Sequence, residues 1–101
     1  MKVNAAFIFI APEVDYKTAN SIIETPTVNL TVIGVANYSQ AEIIVQDLID
    51  RGITAIELCA GFGNEGIARI SKAAKGKASV GAVKFDYHPG FNFKSGDALF
   101  Q

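Results

Sequence analysis

The chain has 101 residues, half of them hydrophobic and 19% charged, with a formal net charge of −1. That length suits one domain around one core, here taken as residues 1–101, and the composition excludes a disordered chain. The nine basic residues are scattered along the chain rather than gathered into a stripe, so neither nucleic acid nor an anionic membrane is an expected partner.

Lys2 is followed by an apolar run that superficially resembles a secretion signal. Asn4 interrupts the run, Pro12 ends it, and no small-x-small cleavage site follows. The run over about 3–11 reads instead as a strand, with Val3, Ala5, Phe7 and Phe9 on one face and Ala6, Ile8 and Ile10 on the other. Hydrophobicity on both faces is the pattern of a parallel strand covered on two sides. No segment is long enough to span a bilayer, and the one cysteine cannot form an internal disulfide, so a cytoplasmic protein is expected.

A helix over Asp15 to Glu24 follows from Tyr16, Ala19, Ile22 and Ile23, ending at Thr25-Pro26 because a residue before proline avoids helical backbone. The second strand covers about 29–36. The next helix shows a capping box at Ser39 and Glu42, with Tyr38 and Ile43 as a hydrophobic staple. Ala41, Ile44, Val45 and Leu48 form its apolar stripe, Asp47 and Arg51 pair one turn apart, and Gly52 ends it.

A third strand spans about 54–60, and a second helix runs from about Asn64 to Lys75 with Ile67, Ile70 and Ala74 inward and Gly76 as its stop. The fourth strand, about 79–87, alternates Val83, Phe85 and Tyr87 with Ala82, Lys84 and Asp86, which places it near an edge or beside a pocket. Strands two, three and four start about 25 residues apart with one helix between each pair. The expected architecture is therefore α/β: one small domain with a mostly parallel four-stranded sheet of consecutive βαβ units and flanking helices. In the closing segment, Phe91, Phe93, Leu99 and Phe100 are too apolar for a free tail. They must cover the sheet, its edge or a neighbouring subunit, and a homo-oligomer is expected.

The segments FIFIAPEVD, IETP, IELCAGFGNEGIARI, FDYHPGF and KSGDALF together resemble a family of short prokaryotic proteins of unknown function. The resemblance spans essentially the whole chain. It implies a compact α/β protein, with no reaction and no site residue attached.

In an open parallel sheet, ligands bind beyond the carboxyl ends of the strands. Those ends would gather Glu13, Asn37, Tyr38, Cys59, Asn64, Asp86 and His88. Gly61, Gly63 and Gly66 form a G-x-G-x-x-G pattern between a strand and a helix. Such a turn either permits tight packing or cradles an anion on backbone N–H groups. A dinucleotide is disfavoured, because a domain this small holds only one mononucleotide-binding half and Glu57 and Glu65 add negative charge nearby. An anionic small molecule is the expected ligand, held by Gly61, Phe62, Gly63 and Asn64 with Asn37 and Glu57 near. The alternative is an enzyme with Cys59 as nucleophile, His88 as base and Asp86 orienting the imidazole. Against it, a lone apolar-strand cysteine is usually a buried hydrophobe, and His88 before Pro89-Gly90 suits a turn. No motif specifies a cofactor, and His88 has no second histidine with which to bind a metal.

Overall fold

The apolar run near the start forms β1 (Val3–Ile10), and its two-sided hydrophobicity places it at the centre of the sheet. In the computed structural model, which describes residues 2–101, β3 (Val28–Val35) pairs in parallel along one side of β1 and β4 (Ala55–Leu58) along the other. The sheet has five strands rather than the expected four, in the order β2-β3-β1-β4-β5. β5 (Ser79–Ala82) continues the parallel set, while β2 (Asn20–Glu24) is an antiparallel edge strand.

β2 replaces the helix expected over Asp15 to Glu24. A single helical turn does form: Asp15 accepts the Ala19 N–H on its backbone oxygen at 2.8 Å and the Lys17 N–H on its side chain at 3.0 Å. It goes no further. Ile22 and Ile23 are adjacent β-branched residues, and Thr25 closes a hairpin by accepting the Val28 N–H on Oγ1 at 2.9 Å. The free edge of β3 then offers this segment a ladder that an isolated helix lacks.

The fourth expected strand is cut short for a related reason. Val83 makes its last rung, to the Leu58 carbonyl at 3.3 Å, because β4 ends there and leaves nothing to pair with. Lys84 to Tyr87 depart from the sheet, and Val83, Phe85 and Tyr87 are exposed.

Two helices complete the βαβ units: α1 (Tyr38–Asp50) after β3 and α2 (Asn64–Ala74) after β4. Both lie on one face of the sheet and pack together. Ala6, Ile8, Ile10, Ile33, Val35, Ile56 and Leu58 supply the sheet side of the core. Ala41, Ile44, Val45 and Leu48 face them from α1, as their spacing requires, and Ile70 and Ala74 from α2. Each such aliphatic side chain contributes roughly 1.5–3 kcal/mol on burial. The opposite face of the sheet carries no helix.

The start of α1 differs from the expected capping box. Asn37 is the N-cap, its side chain accepting the Gln40 N–H at 2.9 Å, and Gln40 Oε1 accepts the Ala36 N–H at 2.9 Å. The helix therefore begins ahead of the Ser39–Glu42 pair, whose side chains reach Arg69 on α2 instead. The end is as expected: Asp47 pairs with Arg51 at 3.3 Å, and Gly52 takes the left-handed conformation at φ +88°. The tail folds onto the molecule through a 3₁₀ turn (Pro89–Phe91) and a short α3 (Gly96–Phe100).

Candidate functional site

β4 stops at Leu58 because the next residues leave the ladder and turn sharply into α2. The Cys59 N–H still donates to the Ile8 carbonyl at 3.0 Å, but its Sγ takes over as acceptor for the Ile10 N–H at 3.4 Å and the Gly61 N–H at 3.3 Å. Phe62 N–H donates to the Cys59 carbonyl at 3.1 Å, closing the turn. Phe62 is fully buried and stacks on Tyr38, with ring centroids 5.7 Å apart.

The first turn of α2 leaves backbone N–H groups unpaired, as every helix start does. Gly63 occupies the N-cap and has no side chain to offer. The missing acceptor is Asp97, from the first turn of α3. Its Oδ2 accepts the Glu65 N–H at 2.9 Å, and its Oδ1 accepts the Gly66 N–H at 3.1 Å. Tyr38, with no exposed surface, donates its hydroxyl to Asp97 Oδ1 at 2.8 Å and accepts the Gly63 N–H at 2.9 Å. Ser95 Oγ holds Asp97 in place by accepting its N–H at 3.1 Å. A carboxylate thus sits in the glycine turn, and it belongs to the chain itself.

The electrostatics follow from these contacts. Burial drives the Tyr38 phenol well above its usual range, and the neighbouring Asp97 charge pushes it the same way, so Tyr38 is a permanent donor. Burial also raises Asp97, but the N–H bonds from Glu65 and Gly66 and the Tyr38 hydroxyl outweigh it and hold the carboxyl below its usual value. The positive end of the α2 dipole acts in the same direction.

Two glycines exist for this packing. A methyl group on Gly63 would collide with the Asp97 carboxyl, and one on Gly66 with the Tyr38 ring. Gly96 lies so close to the Gly61 carbonyl that no side chain fits there either. A network beside the turn ties the helices together: Arg69 donates to both Glu42 oxygens, at 2.7 and 3.2 Å, and its guanidinium stands 5.6 Å from the Tyr38 ring centre. The bonds from Arg69 hold the Glu42 carboxyl below its usual value.

The remaining candidate residues are dispersed. Asn64 is exposed at the start of α2, and Asn37 is engaged in capping α1. Glu57 is exposed on the helix-free face, opposite to Asp97. Asp86 is exposed and paired with Lys84 at 2.8 Å. His88 caps the 3₁₀ turn, its Nδ1 accepting the Gly90 N–H at 2.9 Å, and it stacks on Phe91 with centroids 4.1 Å apart. Among the described residues, no hydrogen bond joins Cys59 to His88 or His88 to Asp86; each has other partners. No three His, Cys, Asp or Glu side chains gather as they would around a metal ion, again among the described residues.

A hollow of about 440 Å³ lies elsewhere, between α1 and the β2–β3 hairpin. It exists because the β1–β2 connection carries no helix, leaving Ile22 exposed. Its ionic groups, Asp47 and Arg51, are already paired, so it lacks the convergent unsatisfied polar groups of a ligand site. At the glycine turn the polar groups do converge, and there they are satisfied by the chain's own Asp97 carboxylate.

Asp97 went unrecognised in the sequence because its partners are 31 and 32 residues away. The available signal was indirect: a helix beginning at glycine has no local acceptor, so one must arrive from a distance.

A model of a family of unknown function, DUF6506, matches residues 3–98. The chain belongs to that family. No curated protein and no solved structure matches it. Membership in DUF6506 brings no reaction with it, so any activity must be argued from the cradle. No helix among the described residues is long and apolar enough to cross a membrane.

Proposed function

We propose that this DUF6506 member is a cytoplasmic binding module for a small anion, whose cradle at Gly61–Gly66 is latched by its own Asp97. The observation that carries the reading is the carboxylate held by two α2 N–H groups and the Tyr38 hydroxyl. A cradle that accepts one carboxylate has donors, spacing and dipole suited to another. The tethered Asp97 is present at high effective concentration, so a single external carboxylate competes poorly. The ligand class favoured is therefore a phosphate or a polycarboxylate, which offers more acceptor oxygens per molecule. Ligand entry lifts α3, which couples occupancy of the cradle to the position of the tail. Gly61, Phe62, Gly63 and Asn64 shape the cradle in this reading; Asn37 acts only by fixing the start of α1, and Glu57 has no part.

The test is a thermal-shift panel of phosphate, nucleotides and organic acids on the wild type and on Asp97→Ala. Removing the latch frees the site, so anions should raise the melting temperature of the variant more than that of the wild type. A ligand at a hundred times its dissociation constant adds about 2.7 kcal/mol, a rise of roughly ten degrees or more for a chain of this size. If no anion stabilises Asp97→Ala, the cradle is a structural clasp alone and the binding reading fails.

A further inference from the structure

The central strands are apolar on both faces, yet α1 and α2 both cover the same one. The register identifies what the other face presents. Val3, Phe7 and Phe9 of β1 line up beside Leu30 and Val32 of β3, with Ile23 of β2 next to them. Val3 and Ile23 are 50% and 52% exposed, and the others are only partly covered. Where such a face is meant for water, strands alternate apolar with polar residues. Here the only charged residue among the face's strand positions is Glu57. Val83, exposed just beyond β5, extends the same surface, since it borders a small hollow with Phe7 and Glu57.

We infer that this helix-free sheet face is a self-association surface, covered in solution by the same face of a second copy. Its size fits. With strands rising ~3.3 Å per residue and spaced ~4.8 Å apart, the five strands present a face of roughly 450–500 Å². Two such faces bury roughly 900–1,000 Å², at the small end of what a specific interface needs. Its shape fits as well, because two twisted sheets pack face to face in an aligned arrangement about 10 Å apart. With a two-fold axis running along β1, Glu57, one strand to the side, faces β3 of the second copy, so the two carboxylates stand about 10 Å apart laterally and do not oppose each other.

The tail is the competing surface, because Phe93 and Leu99 are 68% and 45% exposed. The experiment is sedimentation equilibrium of the full chain and three variants over a dilution series, with circular dichroism to confirm folding. The wild type should reach twice the 10.8 kDa chain mass. Phe7→Lys, and Ile23→Lys on the edge strand where a lysine is tolerated even if the central one is not, should halve the observed mass while remaining folded. Leu99→Lys should leave the dimer intact. A monomeric wild type at every concentration overturns the inference. So does a dimer that survives Ile23→Lys but dissociates with Leu99→Lys.

Discussion

The two long helices begin in different ways. α1 is capped from within its own segment: Asn37 accepts the N–H of Gln40, and Gln40 accepts back from Ala36. α2 has glycine at the same position and takes its acceptor from Asp97, at the far end of the chain. A local cap forms as soon as the helix does, at little entropic cost. A distant cap forms only when the intervening segment has docked, so its energy belongs to the docking of the tail. The start of α2, the glycine turn and α3 are therefore one cooperative unit, joined to α1 through the Tyr38 hydroxyl, whereas the capping of α1 itself is local.

The strongest way to break that unit is to remove its apolar anchor. Phe100 is 3% exposed and packs on Tyr38 and Phe91, with centroids 6.4 and 5.2 Å away. Phe100→Ala should cost about 3–5 kcal/mol in chemical denaturation. Because α3 carries Asp97, native-state hydrogen exchange should also show lost protection at the Glu65 and Gly66 amides. Retained protection there would mean that α2 is capped without the tail.

Removing the carboxylate alone is gentler. Asp97→Ala leaves the Tyr38 hydroxyl and two helix N–H groups without their acceptor, and should cost about 1–3 kcal/mol. Asn at the same position restores one acceptor oxygen and should recover part of the loss. The equivalent replacement at Tyr38, by Phe, keeps the ring stack on Phe62 and strands the Gly63 N–H; its cost falls in the same range.

Acid should imitate that substitution. Asp97 has a folded pKa below its unfolded value of about 3.9. Its stabilising contribution is therefore fully present above that unfolded value and is lost as pH falls through the lower, folded one. Tyr38 has a raised folded value, so its contribution is present below the unfolded value of about 10 and remains intact throughout the acid range. Unfolding measured from neutral pH to below pH 3 should show a smaller acid loss in Asp97→Asn than in the wild type. Parallel curves would show that other carboxylates account for acid sensitivity.

The same contrast explains what was legible in the sequence. The stripe Ala41, Ile44, Val45 and Leu48 and the cap at Gly52 depend on neighbours within a few residues, and they stand as read. DUF6506 membership was legible too, in segments spread from FIFIAPEVD to KSGDALF. The stretch Asn20–Glu24 was misread as helix because its apolar spacing suits one, while the deciding partner, the β3 edge, is a tertiary feature. Sheet faces depend on strand order and on where the helices fall. A two-sided apolar strand such as β1 states that both faces are to be covered, without stating by what.

The smallest effects distinguish two capping schemes for α1. If Asn37 is the cap, Asn37→Ala should cost about 1 kcal/mol, and Ser39→Ala should cost much less, since Ser39 is exposed and only receives Arg69 at 3.4 Å. A capping box at Ser39 and Glu42 requires the reverse order. Glu42→Gln separates the schemes further. In the observed arrangement it weakens a partly exposed ion pair with Arg69, worth about 0.2–1 kcal/mol and reduced by salt. In a capping box, Gln reaches back to the helix N-terminus as well as Glu does, so the change would be nearly neutral. Denaturation of these three variants at low and high ionic strength ranks them directly. A salt-sensitive loss at Glu42 beside a silent Ser39 would confirm that α1 is closed locally by Asn37 and tied to α2 through Arg69.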